Sequence, residues 1–158
     1  MSTKFQSDWF SVNIPHWHEF LDKYQNVQTT ALEIGAFEGR ATLWLLENIL
    51  TQAKSKIYVI DTFEGSPEME HFNTTDIQKT FENNISDYKH QVIVEVGRSQ
   101  DILPLDVMFD FIYVDGSHKA IDVLRDGVQA WDSLKKGGTI IFDDFTWASR
   151  VLPPWEVS

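Results

Sequence analysis

The sequence predicts a doubly wound α/β domain, a mostly parallel sheet with helices on both faces. Three observations predict it. Short apolar runs recur at residues 31–35, 56–61, 91–97, 109–115 and 139–143, separated by longer amphipathic stretches. The runs are continuous and do not alternate, as in Phe111-Ile112-Tyr113-Val114, which suits strands covered on both faces. Strand and helix patterns then follow one another along the chain, the order that builds a parallel sheet.

Taken in order, Pro15 fits a first helical position, and the helix it opens continues through Trp17, Phe20, Leu21 and Tyr24. After the first run, residues 40–52 place Leu43, Leu46, Ile49 and Leu50 at helical spacing. Residues 62–75 have no strong period and carry Gly65, Ser66 and Pro67, the composition of a lid or substrate loop. A helix is expected over 75–88. A second crossover helix over 118–134 presents Ile121, Leu124, Val128 and Trp131 as its apolar stripe, with core packing expected for Trp44 and Trp131. Lys135-Lys136-Gly137-Gly138 then suits a helix end and a turn into the fifth strand at Thr139.

The chain has 158 residues, enough for one domain, with segments 1–28, 29–145 and 146–158 expected as a helical lead, the core and a short tail. Its 13 Lys+Arg against 24 Asp+Glu give a net charge of −11, which argues against nucleic acid and anionic membrane as partners. With no Cys, a disulfide framework, a thiolate zinc site and a cysteine nucleophile are excluded. The polar start lacks the apolar core of a signal peptide, and no run approaches a membrane span, so a cytoplasmic location is expected.

In such a sheet, ligands sit beyond the carboxyl ends of the strands, and here those ends carry the chemistry. The first run leads into Glu33-Ile34-Gly35-Ala36-Phe37-Glu38-Gly39, a tight turn whose glycines permit close approach to a ligand or serve turn geometry alone. A dinucleotide fingerprint would need Gly at positions 37 and 40, where the chain has Phe37 and Arg40, so a nicotinamide or flavin oxidoreductase is the weaker reading. Asp61, followed by Thr62, ends the second run. Its carboxylate can accept both hydroxyls of a ribose, at about 1.5–3 kcal/mol for each charge-assisted bond. The third run ends in Gly97-Arg98-Ser99-Gln100-Asp101-Ile102-Leu103-Pro104, with short polar side chains able to read a purine edge. The fourth ends in Asp115-Gly116-Ser117-His118 and the fifth in Asp143-Asp144. Three carboxylates meeting at neighbouring tips are costly unless protonated, hydrogen-bonded or neutralised by a cation; Asp115 and Asp143 as turn or helix caps are the competing reading.

The glycine turn, Asp61 and residues 97–104 together resemble the class I S-adenosylmethionine-dependent methyltransferases, with a Rossmann-like sheet. Among them the sequence is most similar to catechol O-methyltransferase and its metal-dependent small-molecule relatives, over about residues 31–144. That resemblance implies S-adenosylmethionine as cofactor, with Glu33, Gly35, Ala36 and Gly39 around its methionine end, Asp61 and Thr62 at the ribose, and Ser99 and Gln100 at the adenine. It also implies Mg2+ held by Asp115, Asp143 and Asp144, oxygen ligands of the kind this ion takes. Asp115 then borders the cofactor as well. His118 falls where these enzymes place the base that removes a substrate hydroxyl proton, a task an imidazole performs close to neutral pH. The family often has Ser or Thr just after the second glycine; here Ala41 and Thr42 follow Arg40.

The expected activity is methyl transfer to a hydroxyl of a small molecule. A nucleoside-binding module without transferase activity is the alternative. Family members continue past the fifth strand with another helix and two strands, whereas 15 residues follow Asp143 here, including Trp147, a candidate pocket wall, and Pro153-Pro154. A fold shortened after the fifth strand leaves an open edge, which a homo-oligomer would cover.

Overall fold

A computed structural model describes residues 3–66 and 71–144. In chain order its main elements are α1 (Ile14–Leu21), β1 (Thr30–Ile34), α2 (Arg40–Asn48), β2 (Lys56–Asp61), α3 (Ile77–Asn84), β3 (Val92–Val96), α4 (Ser99–Ile102), β4 (Phe109–Val114), α5 (Ala120–Trp131) and β5 (Leu134–Phe142). The strands form one sheet in the order β3-β2-β1-β4-β5, every pair parallel. The chain first winds outward from β1 to β3, then crosses to β4 and winds the other way. The β1/β4 boundary is therefore the switch point, where adjoining loops diverge and leave a crevice.

Alternation along the strands assigns each face its own core. Ala31, Ile57, Val59, Phe111 and Tyr113 pack with Trp17, Leu21, Trp44, Leu45 and Phe81 from α1, α2 and α3. Leu32, Ile34, Ile60, Ile112 and Val114 face the other way, onto Leu103 and Ala130. The register aligns Ile34 with both Ile60 and Val114, so the tips of the central strands end level and their loops share one opening.

Where the structure departs from sequence expectation, small residues explain it. α5 buries Asp126 and Ala130, while Ile121, Leu124, Val128 and Trp131 are 53–63% exposed, so Trp131 is not a core residue. Gly127 lies under Phe142 of β5, a Cβ there coming within 2.9 Å of the ring, so α5 turns its small residues to the sheet and its apolar stripe outward. That helix begins at Ala120, with His118 in the preceding loop. β5 begins at Leu134, five residues before the expected start. The expected turn persists inside it as an irregularity, with Phe109 opposite Leu134, Phe111 opposite Thr139 and Gly137 in the left-handed region at φ 80°. Residues 99–102, whose short polar side chains follow the third run, form the short α4. Among the described residues no helix is long and apolar enough to cross a membrane. Trp147 and Pro153-Pro154 lie outside the described residues, as do Pro67, Glu68 and Glu70 of the expected lid.

Candidate functional site

The strand tips open into one cleft of about 1140 Å³, lined by the glycine turn, Asp61, Ser99, Gln100 and the β4 and β5 tips. The N-terminal segment borders it too.

Gly35 leaves β1 at φ 85°, and a Cβ there would stand 2.1 Å from the Asp115 carbonyl oxygen. Only glycine lets the two tips come this close. Gly39, at φ 80°, precedes α2 and lies against the Phe81 ring. Phe37 between them also has positive φ, 49°, a conformation a bulky residue adopts at a cost. What holds it is Asp61, whose Oδ2 accepts the backbone N–H groups of Ala36 at 2.6 Å and Phe37 at 2.9 Å, while Oδ1 accepts that of Phe63 at 2.6 Å. The acid expected at a ribose thus also ties β2 to the glycine turn, and a carboxylate's four lone-pair sites leave room for a ligand hydroxyl. Thr62 Oγ1 accepts the Glu64 N–H at 3.3 Å, closing its own loop.

Glu33 is fully buried behind the turn. Burial pushes its carboxyl up to about 8; the Thr42 hydroxyl, donating to Oε2 at 2.5 Å, opposes the shift, and the charges of Asp115 and Asp61 add to it. Glu33 Oε1 has no hydrogen-bond partner among the described residues.

On the β3 side, Ser99 bonds Asp126, and Gln100 donates to Asp122 at 3.1 Å. Both side chains line the cleft while anchored to α5.

At β4 and β5, Asp115 follows Val114 and Asp143 follows Phe142, which pair in register, so the two acids adjoin. Burial raises Asp115 to about 8, with Asp143 and Asp144 adding to the shift and the Tyr113 hydrogen bond opposing it. Burial also raises Asp144, followed by Asp143, against the pull of His118. His118 Nε2 lies 3.1 Å from Asp144 Oδ2. One ligand atom each from Asp115, His118 and Asp144 falls within 4.8 Å of the others. Asp143 stands beside this group rather than in it: its Oδ1 accepts the Asp144 N–H at 2.9 Å and its Oδ2 bonds the Tyr113 hydroxyl.

Three contributors escape sequence reasoning. Tyr113 reads as a core residue, although its place two residues before Asp115 on one strand face is a usable signal. Glu38, 2% exposed, accepts the Gln6 backbone N–H at 2.7 Å and its side-chain amide at 2.8 Å, docking the N-terminal segment on the turn. Trp9 of that segment packs against Phe37 and Phe72, with ring centroids 5.6 and 5.1 Å apart. Of the remaining histidines, His18 pairs with Asp22 at 2.8 Å, and His16, His71 and His90 take no part in the cleft.

A family model described as a methyltransferase domain matches residues 32–145, and the chain belongs to that family. An uncharacterised protein of Acanthamoeba polyphaga mimivirus is 26% identical over 148 residues, covering 87% of this chain and 64% of that protein. Similar folds include the MycE methyltransferase of the mycinamycin pathway, solved with Mg, S-adenosylhomocysteine and mycinamycin VI, at TM-score 0.61 and 16% identity, over 88% of this chain and 34% of that one. An S-adenosylmethionine-dependent O-methyltransferase of Thermotoga maritima matches at TM-score 0.62 and 15% identity, over 88% and 45%. A methyltransferase of Thiobacillus denitrificans, solved with S-adenosylhomocysteine, matches at 0.59 and 13%, over 87% and 50%. The fold is that of the class I S-adenosylmethionine-dependent methyltransferases, and the chain spans from about a third to two thirds of the length of these relatives.

Proposed function

We propose that this chain, acting as one domain, transfers the methyl group of S-adenosylmethionine to a hydroxyl of a small molecule with the help of a divalent cation, Mg2+. The observation that carries the reading is the Asp115–His118–Asp144 cluster in the same cleft as the glycine turn held by Asp61.

The donor set fits a cation. The charges of Asp143 and Asp144 raise the proton affinity of Asp115, a cost that a bound positive charge relieves. Asp115 and Asp144 would hold it directly, with Asp143 alongside. Because Mg2+ prefers oxygen, the imidazole of His118 serves proton transfer and not the ion. When bound, S-adenosylmethionine supplies an electrophilic sulfonium methyl group, and Mg2+ supplies a charge that acidifies the acceptor hydroxyl.

The chain's residues do the rest. Glu33, Gly35, Ala36 and Gly39 would frame the methionine end, Asp61 and Thr62 the ribose, and Ser99 and Gln100 the adenine. His118 accepts the hydroxyl proton, and the Asp144 carboxylate beside its Nε2 stabilises the imidazolium. Trp9 and Phe37 pack together in the cleft lining. Orientation and fixed charge are the enzyme's main contributions.

The test incubates the protein with S-adenosylmethionine, Mg2+ and hydroxylated small molecules, diphenols and sugars included, and measures S-adenosylhomocysteine by mass spectrometry. Acceptor-dependent product that EDTA abolishes is expected. Tight S-adenosylhomocysteine binding without any transfer would instead favour a binding module, and transfer indifferent to EDTA would remove the cation from the reading.

A further inference from the structure

Tyr113 has no part in the chemistry above, yet its hydroxyl touches both acids at the β4 and β5 tips. Its side chain is 1% exposed, with the ring edge-on to Trp17 at 4.5 Å between centroids. Phenylalanine would pack there as well. A buried hydroxyl is unfavourable unless hydrogen-bonded, so its presence at this depth calls for a polar task. The hydroxyl lies 2.8 Å from Asp115 Oδ2 and also bonds Asp143 Oδ2, offering a single phenolic proton to two carboxylates on adjacent strands.

The geometry follows from register. Tyr113 and Asp115 are two residues apart and share one face of β4, and Asp143 is the β5 neighbour of Asp115 on that face. The phenol therefore rises between the carboxylates from below. Asp143 is fixed a second time by the Asp144 N–H at Oδ1, while Asp115 keeps an oxygen for the group it forms with His118 and Asp144.

We infer that Tyr113 is a positioning residue for the cation site, setting the separation and rotation of Asp115 and Asp143 so that Asp115 meets the ion together with Asp144. This rests on the divalent-cation reading. Partners that orient metal ligands in this way typically change metal affinity about 10- to 100-fold when removed.

The test compares wild type with Tyr113→Phe, which keeps the ring against Trp17, in complex with S-adenosylhomocysteine. Mn2+ is titrated and its free signal read by electron paramagnetic resonance, and S-adenosylhomocysteine affinity is measured separately by calorimetry without metal. The expected result is Mn2+ affinity at least about tenfold weaker in Tyr113→Phe, with nucleoside affinity unchanged. Equal or tighter Mn2+ binding by the variant would overturn the positioning role alone. Failure of the wild type to bind Mn2+ would overturn both that role and the cation reading.

Discussion

The two halves of the cleft treat their acids in opposite ways. At the β1 and β2 tips, Asp61 is surrounded by backbone N–H groups from Ala36, Phe37 and Phe63, fixed donors that satisfy it whether or not a ligand is present. At the β4 and β5 tips, Asp115, Asp143 and Asp144 have mainly one another, a shared phenol and an imidazole. The first half holds its carboxylate with neutral dipoles. The second holds excess negative charge, which a cation or a proton must offset. Gly35 joins them, since its missing side chain lets the Asp115 carbonyl approach the glycine turn.

Each prediction breaks or sharpens that contrast. His118→Ala strikes the second half only: turnover should fall roughly 10²–10⁴-fold while S-adenosylhomocysteine affinity, read by calorimetry, stays within about twofold. Gly35→Ala strikes the joint. A Cβ pressed on a carbonyl at positive φ should cost about 2–4 kcal/mol in urea unfolding and weaken both halves at once. Asp61→Ala strikes the first half and should weaken S-adenosylhomocysteine about 10- to 100-fold while Mn2+ binding persists.

The remaining prediction concerns pH dependence. Burial raises Glu33 to about 8, so the folded chain holds a proton that the unfolded chain, titrating near 4.5, releases. Stability from this group is full below that lower value and is lost as pH rises through about 8. Glu33→Gln should flatten the fall of melting temperature over this window, removing a slope of at most about 1.4 kcal/mol per pH unit.

Much of this was legible in the sequence. Each of the five apolar runs is a strand, and in central β1 and β4 burial on both faces writes itself as continuous apolar sequence. The tip residues Gly35, Asp61, Ser99, Asp115 and His118 share one cleft, because parallel strands end on the same side. What failed has a common cause: periodicity marks a helix without saying which face meets the sheet. Trp44 and Trp131 sit in comparable amphipathic patterns, yet Trp44 is 6% exposed and Trp131 63%, since Gly127 and Ala130 draw the other side of α5 inward. The phenol of Tyr113 was hidden for a related reason. A tyrosine inside an apolar run reads as packing until the register with β5 places Asp143 beside it.

The most direct test of a single cleft holding both nucleoside and cation is the proton NMR spectrum of protein-bound S-adenosylhomocysteine during Mn2+ titration. Paramagnetic broadening should be strongest for protons flanking the sulfur and should vanish in Asp115→Asn. Sharp nucleoside signals at saturating Mn2+, or broadening that Asp115→Asn leaves untouched, would contradict the arrangement.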